Sequence, residues 1–225
     1  MGVTAAERIN RILGITGGSS YLEVGVERGR TFTKVNAKTK VAVDPKFKFD
    51  TSEFAGPETS FFECTSDVFF AKHTNSKFDL IFLDGLHTFE QTLRDLLSAL
   101  RIVSETGLII IDDVFPGDYA GSLKTLREQR EYREIHAPDS KNAWWGDTYK
   151  LIPFIHDFLP ALDYRTATEG NKQTIVVPFQ IAPTRDAYFS EMLQIANLSF
   201  FDLEKLKDLW KFSNEREIDE FISKS

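Results

Sequence analysis

Apolar runs alternate with polar stretches through the first half of the chain, and each run stops at a polar or acidic residue. The runs cover residues 20–26, 40–44, 59–64, 78–84 and 108–114. The run at 78–83 is almost continuously apolar, as in a strand covered on both faces. Helix signals fall around these runs. Residues 4–13 predict an opening helix, with Thr4 as N-cap and Glu7 completing a capping box. Residues 31–37 predict the first turns of a helix after the first strand. Residues 68–73 predict a short helix capped by Ser66 or Asp67. Residues 89–103 predict a long amphipathic helix with Leu93, Leu96, Leu97 and Leu100 on one face. This alternation predicts an α/β fold with a doubly wound, mostly parallel sheet.

The second half is less regular. Residues 119–133 predict a helix, 136–143 a loop, and the segment from Trp144 to Lys150 leads into a helix ending near Pro160. Two closing strands, 164–168 and 173–179, meet at the Gly170–Asn171 turn and bring the count to seven. Short helices over 184–196, 202–212 and 215–222 predict a C-terminal appendage. The expected division is a domain of residues 1–182 and a helical appendage of 183–225.

The first strand runs into a turn carrying Gly25 and Gly29, with Thr31 just beyond. Strand, glycine turn and helix bring backbone close to a small ligand at the end of a parallel strand. The same pattern also serves as an ordinary tight connection between strand and helix. The fingerprint here is Glu-x-Gly-x-x-x-Gly rather than Gly-x-Gly-x-x-Gly. A pyrophosphate prefers bare N–H groups, so Glu23 argues for a ligand with a cationic portion and against a nicotinamide dinucleotide.

Acids stand at every strand end that follows. Asp44 closes the second strand, Asp67 follows the third, Asp84 closes the fourth, and Asp112 with Asp113 closes the fifth. Each alone reads equally as a helix cap or turn residue. Together they fall at the carboxyl edge of the sheet, where open α/β folds place their ligands. Asp44 follows the glycine turn at about the 20-residue spacing at which a carboxylate takes ribose hydroxyls. Asp84, Asp112 and Asp113 would converge across neighbouring strands, an arrangement that suits a hard cation such as Mg²⁺. His87 lies in the loop after Asp84, and an ordinary histidine pKa of about 6.5 suits proton abstraction near neutral pH.

Composition narrows the field without adding chemistry. The 225 residues, 42% hydrophobic and 27% charged, suit one large globular domain or one domain with appended helices. A net charge of −7 argues against a nucleic-acid surface as the main function. The single cysteine, Cys64, excludes an internal disulfide. Without a signal peptide or long apolar span, the expected place is the cytoplasm, with no membrane partner.

With these residues in hand, the chain resembles the class I S-adenosylmethionine-dependent methyltransferases over about residues 20–179. It is most similar to the metal-dependent small-molecule O-methyltransferases of the catechol and sugar-modifying types. The resemblance rests on the run from Leu22 to Gly29, on Val43-Asp44-Pro45, on Thr65-Ser66-Asp67, on Leu83 to His87, and on Ile111-Asp112-Asp113. It implies a Rossmann-like fold and roles for these residues. Glu23, Gly25, Gly29 and Thr31 would surround the methionine part of the cofactor, with Asp84 also beside it. Asp44 would hold the ribose, and Ser66 with Asp67 would lie near the adenine. Asp84, Asp112 and Asp113 would bind Mg²⁺ or a similar cation, and His87 matches the position of a catalytic base. The partner implied is a small-molecule hydroxyl acceptor. Trp144 and Trp145 would either border the acceptor or plug the core. Cys64-Thr65 stands where the group commonly has a glutamine. A second possibility is a non-catalytic nucleoside-binding subunit with the same fold. The C-terminal helices offer a contact for a homo-oligomer.

Overall fold

The computed structural model describes residues 2–140, 143–178 and 185–224. Helix α1, Ala5–Thr16, starts at the predicted capping box, with the Glu7 carboxylate accepting from Thr4 N at 2.8 Å. Strands β1 (Ser20–Val24), β2 (Thr39–Asp44) and β3 (Thr59–Glu63) follow, then helix α2 (Ser66–Lys72). Next come β4 (Phe78–Leu83), α3 (Phe89–Ile102), β5 (Val103–Ile111), α4 (Leu126–His136) and α5 (Leu151–Phe158). The chain closes with β6 (Asp163–Ala167), β7 (Thr174–Val177), α6 (Met192–Ala196), β8 (Phe212–Ser213) and α7 (Glu215–Ile222).

The strands form one sheet in the order β3-β2-β1-β4-β5-β7-β6-β8. The first five are parallel, β7 runs antiparallel to β5 and β6, and β8 is parallel to β6. The chain order reverses between β1 and β4, which leaves the ligand crevice of such a sheet at their carboxyl ends. Apolar side chains cover both faces, so the predicted double layer forms. Ile9, Ile12, Phe32, Ile218 and Ile222 pack on one face. Phe69, Leu96, Ile152, Ile155 and Trp210 pack on the other.

Several local expectations change. The helix expected over 31–37 is a single 3-10 turn, Phe32–Lys34. Only Phe32 and Val35 point inward there, too few for a helical face. The backbone is held from outside instead: Lys40 Nζ donates to Phe32 O and Val35 O, and Asn10 bonds Lys34 O and Asn36 N. The cap of α2 is Thr65, whose hydroxyl accepts from Val68 N, rather than Ser66 or Asp67. The helix expected over 119–133 starts only at Leu126, because Thr125 and Glu128 form a capping box there.

At the C-terminal end, the helix expected over 202–212 is replaced by 3-10 turns at Phe200–Asp202 and Lys207–Trp210. Lys211, with φ +47°, ends the second turn and lets β8 pair with β6, so the sheet has eight strands rather than seven. This segment is anchored to the sheet. Trp210 is fully buried, and its indole N–H donates to Val114 O at 2.8 Å. Arg8, also fully buried, pairs with Glu215 at the start of α7. The expected boundary between residues 182 and 183 lies outside the described residues. So do the end of the strand expected at 179, the start of the helix expected at 184, and residues 141 and 142 of the expected loop. Among the described residues, no helix is long and apolar enough to cross a membrane.

Candidate active site

The site is built on a close approach between two strand ends. Gly25 takes φ +89°, and a Cβ there would lie 1.9 Å from Asp84 O. Only glycine allows the β1 turn to lie against the backbone at the end of β4. The Gly25 N–H donates to Val43 O at 2.9 Å, tying the turn to β2 as well. The ends of β1, β2 and β4 are thereby drawn around one crevice.

Two cavities open from it, sharing Gly25, Glu27 and Asp84. The larger, about 600 Å³, is lined by Asp44, Thr65, Ser66, Asp67, His87 and Trp144 among others. Both Asp44 oxygens already accept backbone bonds, from Glu27 N at 2.8 Å and Lys46 N at 2.7 Å. The bonds fix the carboxylate, and each oxygen keeps a further lone pair for a ligand hydroxyl. Gln91 donates to both Ser66 Oγ and Asp67 Oδ1 at 3.2 Å, so α3 orients this end of the wall.

The smaller cavity, about 470 Å³, is lined by Glu23, Arg28, Arg30, Thr31, Asp84, Asp112 and the N-terminal residues Gly2 to Ala5. Glu23 is buried and accepts from Tyr21 Oη at 2.5 Å. Burial pushes its carboxyl up to about 8, with the Asp84 charge adding to the effect against the Tyr21 hydrogen bond. Its carboxyl therefore stays largely protonated at neutral pH, and a cationic group beside it would favour the ionised form. Gly29 lines neither cavity; its Cα faces the Phe49 ring, which a Cβ would meet at 2.9 Å. Arg28 and Arg30 were not singled out from the sequence. Their signal was two guanidinium groups within the glycine turn, opposite an acid.

Where the cavities meet, Asp84, His87 and Asp113 converge. One ligand atom from each lies within 4.8 Å of the others. His87 Nε2 is 3.3 Å from Asp84 Oδ1, and Nδ1 is 3.1 Å from Asp113 Oδ2. Nδ1 also lies 3.2 Å from Trp144 O, and the imidazole stacks on the Trp144 ring at 5.0 Å. Asp113 reaches the cluster with φ +58°, a left-handed backbone that costs a β-carbon residue of order 1–3 kcal/mol.

Asp112, expected beside it, turns away from the cluster. Its Oδ2 accepts from the buried Gln173 amide at 3.1 Å, and its Oδ1 accepts from Asp113 N at 2.9 Å. Gln173 in turn accepts from Arg8. The sequence places His87 as a base beside three acidic ligands. The structure instead makes His87 the third member of the cluster and Asp112 its support.

The protonation states follow from burial and crowding. Burial raises the pKa of Asp84, and it raises that of Asp113 well above the usual carboxylate range, with Asp112 adding repulsion. Burial also pushes Asp112 up to about 7, with the Asp84 charge next. For His87, burial works downward, but the Asp84 hydrogen bond and the charges of Asp113 and Asp84 outweigh it and hold its pKa at about 9. With no other cation present, His87 is an imidazolium at neutral pH. The expected ordinary pKa near 6.5 does not describe it.

The His87 loop is clamped by Gly146 and Asp147. Gly146 takes φ +62°, and a Cβ there would lie 1.7 Å from His87 O. Asp147 N donates to His87 O at 3.2 Å, while its carboxylate accepts from Phe89 N at 2.8 Å. Trp144 and Trp145 are each half-buried. Trp144 lines the larger cavity, and Trp145 lines a third cleft beyond it. Neither is a buried core plug.

Residues 22–114 match the sequence profile of a family described as a methyltransferase domain. No curated protein sequence matches the chain. Among solved structures, a candidate caffeoyl-CoA O-methyltransferase from Staphylococcus aureus superposes with TM-score 0.54 at 10% identity, covering 79% of this chain and 84% of that one. An O-methyltransferase from Bacillus cereus, solved with SAH, gives 0.52 at 14% identity, with 78% and 82% covered. A candidate O-methyltransferase from Klebsiella pneumoniae gives 0.50 at 15%, with 78% and 81% covered. At these identities the superpositions establish the fold. On that shared fold, the profile match describes residues 22–114 as resembling a methyltransferase domain.

Proposed function

We propose that the chain is an O-methyltransferase that uses S-adenosylmethionine and a divalent cation, Mg²⁺ or one like it, to methylate a hydroxyl of a small molecule. The observation that carries this reading is the convergence of Asp84, His87 and Asp113 where the two cavities meet. In this reading the larger cavity takes the nucleoside, with Asp44 on the ribose and Ser66 and Asp67 at the base end. The smaller takes the amino-acid end between Glu23, Thr31, Arg28 and Arg30. S-adenosylmethionine supplies an electrophilic methyl group there.

The three-residue cluster fits a cation on its own chemistry. The Asp84 and Asp113 carboxylates are ordinary ligands for Mg²⁺ or Mn²⁺ and would hold the cation, with the His87 imidazole beside it. Crowded acids with raised pKa values are what a divalent charge would relieve. When bound there, the cation would polarise the acceptor hydroxyl and ease loss of its proton. The chain's own residues then orient the reaction and handle that proton. Trp144 O fixes His87 Nδ1, which leaves Nε2, beside Asp84, as the atom to exchange a proton. Trp144 covers one face of the imidazole and keeps water from it. The net charge of −7 and the modest size of the two cavities, about 470 and 600 Å³, favour a small-molecule acceptor over nucleic acid. The cytoplasm is the proposed place of action.

The test is transfer of labelled methyl from S-adenosylmethionine to a panel of aromatic diols and simple sugars, with and without chelator. Transfer should occur, stop with EDTA and return with excess Mg²⁺. Transfer indifferent to chelator would leave the acids as structural groups only. No transfer to any acceptor, despite cofactor binding, would favour a non-catalytic nucleoside-binding subunit.

A further inference from the structure

Asp112 and Asp113 are adjacent acids at the end of β5, yet of the two only Asp113 joins Asp84 and His87. What separates them is a buried chain of hydrogen bonds that starts on other elements. The register that pairs Ile111 with Thr174 sets Gln173 beside Asp112 across the β5–β7 pair. Gln173 is fully buried, and its main-chain carbonyl accepts from Ala167 N at 2.9 Å, which fixes the residue in the hairpin. Its side-chain Oε1 accepts from Arg8, whose guanidinium can only donate. The amide therefore has one orientation, with Nε2 donating to Asp112 Oδ2 at 3.1 Å. The other Asp112 oxygen accepts from Asp113 N at 2.9 Å, inside the turn where Asp113 takes φ +58°.

We infer that Gln173, oriented by Arg8, is a positioning residue that decides which of the two acids holds the cation. It ties Asp112 to the β6–β7 hairpin and so leaves Asp113 as the ligand, a role that rests on the cation reading proposed above. Both Asp112 oxygens are held by N–H groups, one on the hairpin and one in the Asp113 turn. A left-handed residue with a β-carbon persists only where its surroundings hold it. Here Asp112 holds the Asp113 turn, and Gln173 holds Asp112. Arg8 is fixed in its turn. It is fully buried, donates to Glu169 O at 2.6 Å, and donates through Nε to Glu215 Oε1 at 3.0 Å. The contacts run from α7 through α1 and the hairpin to the end of β5. Arg8, Gln173 and Glu215 all lie outside the matched region 22–114, so the chain supplies this arrangement from its flanking segments.

The direction of one hydrogen bond separates this role from a ligand role for Asp112. Gln173→Glu keeps an acceptor for Arg8 but removes the N–H that Asp112 needs. Two carboxylates then face each other and repel, so Asp112 leaves the hairpin and the Asp113 turn loosens with it. Adding Asp112→Asn reverses the bond. The asparagine amide donates to the new carboxylate, and its carbonyl oxygen still accepts from Asp113 N. The two changes together leave the net charge as it was. Were Asp112 itself a ligand, the second change would deprive the cation of a charged oxygen and deepen the loss.

The experiment measures Mn²⁺ binding to the full chain, with S-adenosylhomocysteine present, from the paramagnetic resonance signal of free Mn²⁺. It compares wild type, Gln173→Glu, and Gln173→Glu combined with Asp112→Asn. Wild type should bind Mn²⁺ saturably. Gln173→Glu should weaken that binding by about 10- to 100-fold, the usual cost of losing a group that orients a metal ligand, and should change S-adenosylhomocysteine affinity far less. The double variant should recover most of the loss. Should Gln173→Glu fail to fold, the double variant decides alone: Mn²⁺ binding near wild type supports the assignment, and lost binding overturns it. Equal Mn²⁺ affinity in wild type and Gln173→Glu would overturn it, as would a double variant that binds no better than the single one. A wild type that binds S-adenosylhomocysteine but no Mn²⁺ would overturn the cation reading and this assignment together. Mn²⁺ binding without S-adenosylhomocysteine binding would count against the methyltransferase reading, with the variants still deciding the role of Gln173.

Discussion

Without a divalent cation, the protein should lose stability steadily as the pH rises from about 6 to about 9, and saturating Mg²⁺ or Mn²⁺ should remove most of that loss. His87 has a folded pKa of about 9, raised above its ordinary value against the effect of burial by Asp84 and Asp113. A group raised in this way stabilises the fold fully below its unfolded pKa of about 6.5, and the contribution fades as the pH passes the folded value. The acids act in the same direction. Asp112, raised by burial to about 7, binds its proton more tightly folded than unfolded, so its contribution is also lost with rising pH. At about 1.4 kcal/mol per pKa unit, His87 alone accounts for roughly 3 kcal/mol. For a domain of this size that is a fall of roughly 6–12 °C in melting temperature. A bound divalent cation takes over the charge balance that the proton supplied, so its stabilisation should be greater at pH 9 than at pH 6. Thermal melts at three pH values, with EDTA or with Mg²⁺, check this. Asp113→Asn should blunt the cation effect. A melting temperature indifferent to both pH and cation would contradict the cluster as described.

His87→Ala should lower methyl transfer by about 10²–10⁴, the range of a lost acid–base group, while leaving S-adenosylhomocysteine affinity near wild type. The imidazole holds Asp84 and Asp113 together and is stacked on Trp144, so its removal strips the cluster of both a proton carrier and a positive charge. The wild-type rate should climb with pH as the imidazolium gives up its proton, and the climb should move to lower pH when cation is raised. His87→Ala should lose that climb. His87→Gln, which keeps hydrogen-bonding groups without basicity, should restore stability but not rate. A His87→Ala enzyme with normal turnover and an unchanged pH profile would remove the histidine from the mechanism.

Much of the site was legible because its residues carry their chemistry in the chain itself. Gly25 stands where backbone meets backbone, and the acids stand at successive strand ends, so the crevice and its lining acids could be read directly. What could not be read depends on side-chain direction. Asp112 and Asp113 are adjacent in sequence, and spacing alone put both on the cation. The left-handed backbone of Asp113 sends its carboxylate to the cluster, while Gln173, 61 residues from Asp112, draws that carboxylate the other way. His87 was recognisable by its place after Asp84, but not its proton. The exchanging proton sits at Nε2 against Asp84, while Asp113 and Trp144 O, the latter 57 residues away, hold Nδ1. The missing helix after β1 has a similar cause. Asn10 and Lys40 satisfy its backbone through contacts that the local pattern does not show. The eighth strand, two residues long, has no period to detect. It exists because Lys211 turns the chain and Trp210 pins it beneath Val114.

The crevice between β1, β2 and β4 should bind a cofactor of the S-adenosylmethionine type. Calorimetric titration of the full chain with S-adenosylhomocysteine, alongside NAD, tests it most directly. S-adenosylhomocysteine should occupy one saturable site, and NAD none. Asp44→Ala should weaken binding by about 1.5–3 kcal/mol, the range for a hydrogen bond to a charged group. Binding of NAD without S-adenosylhomocysteine, or of neither, would contradict it.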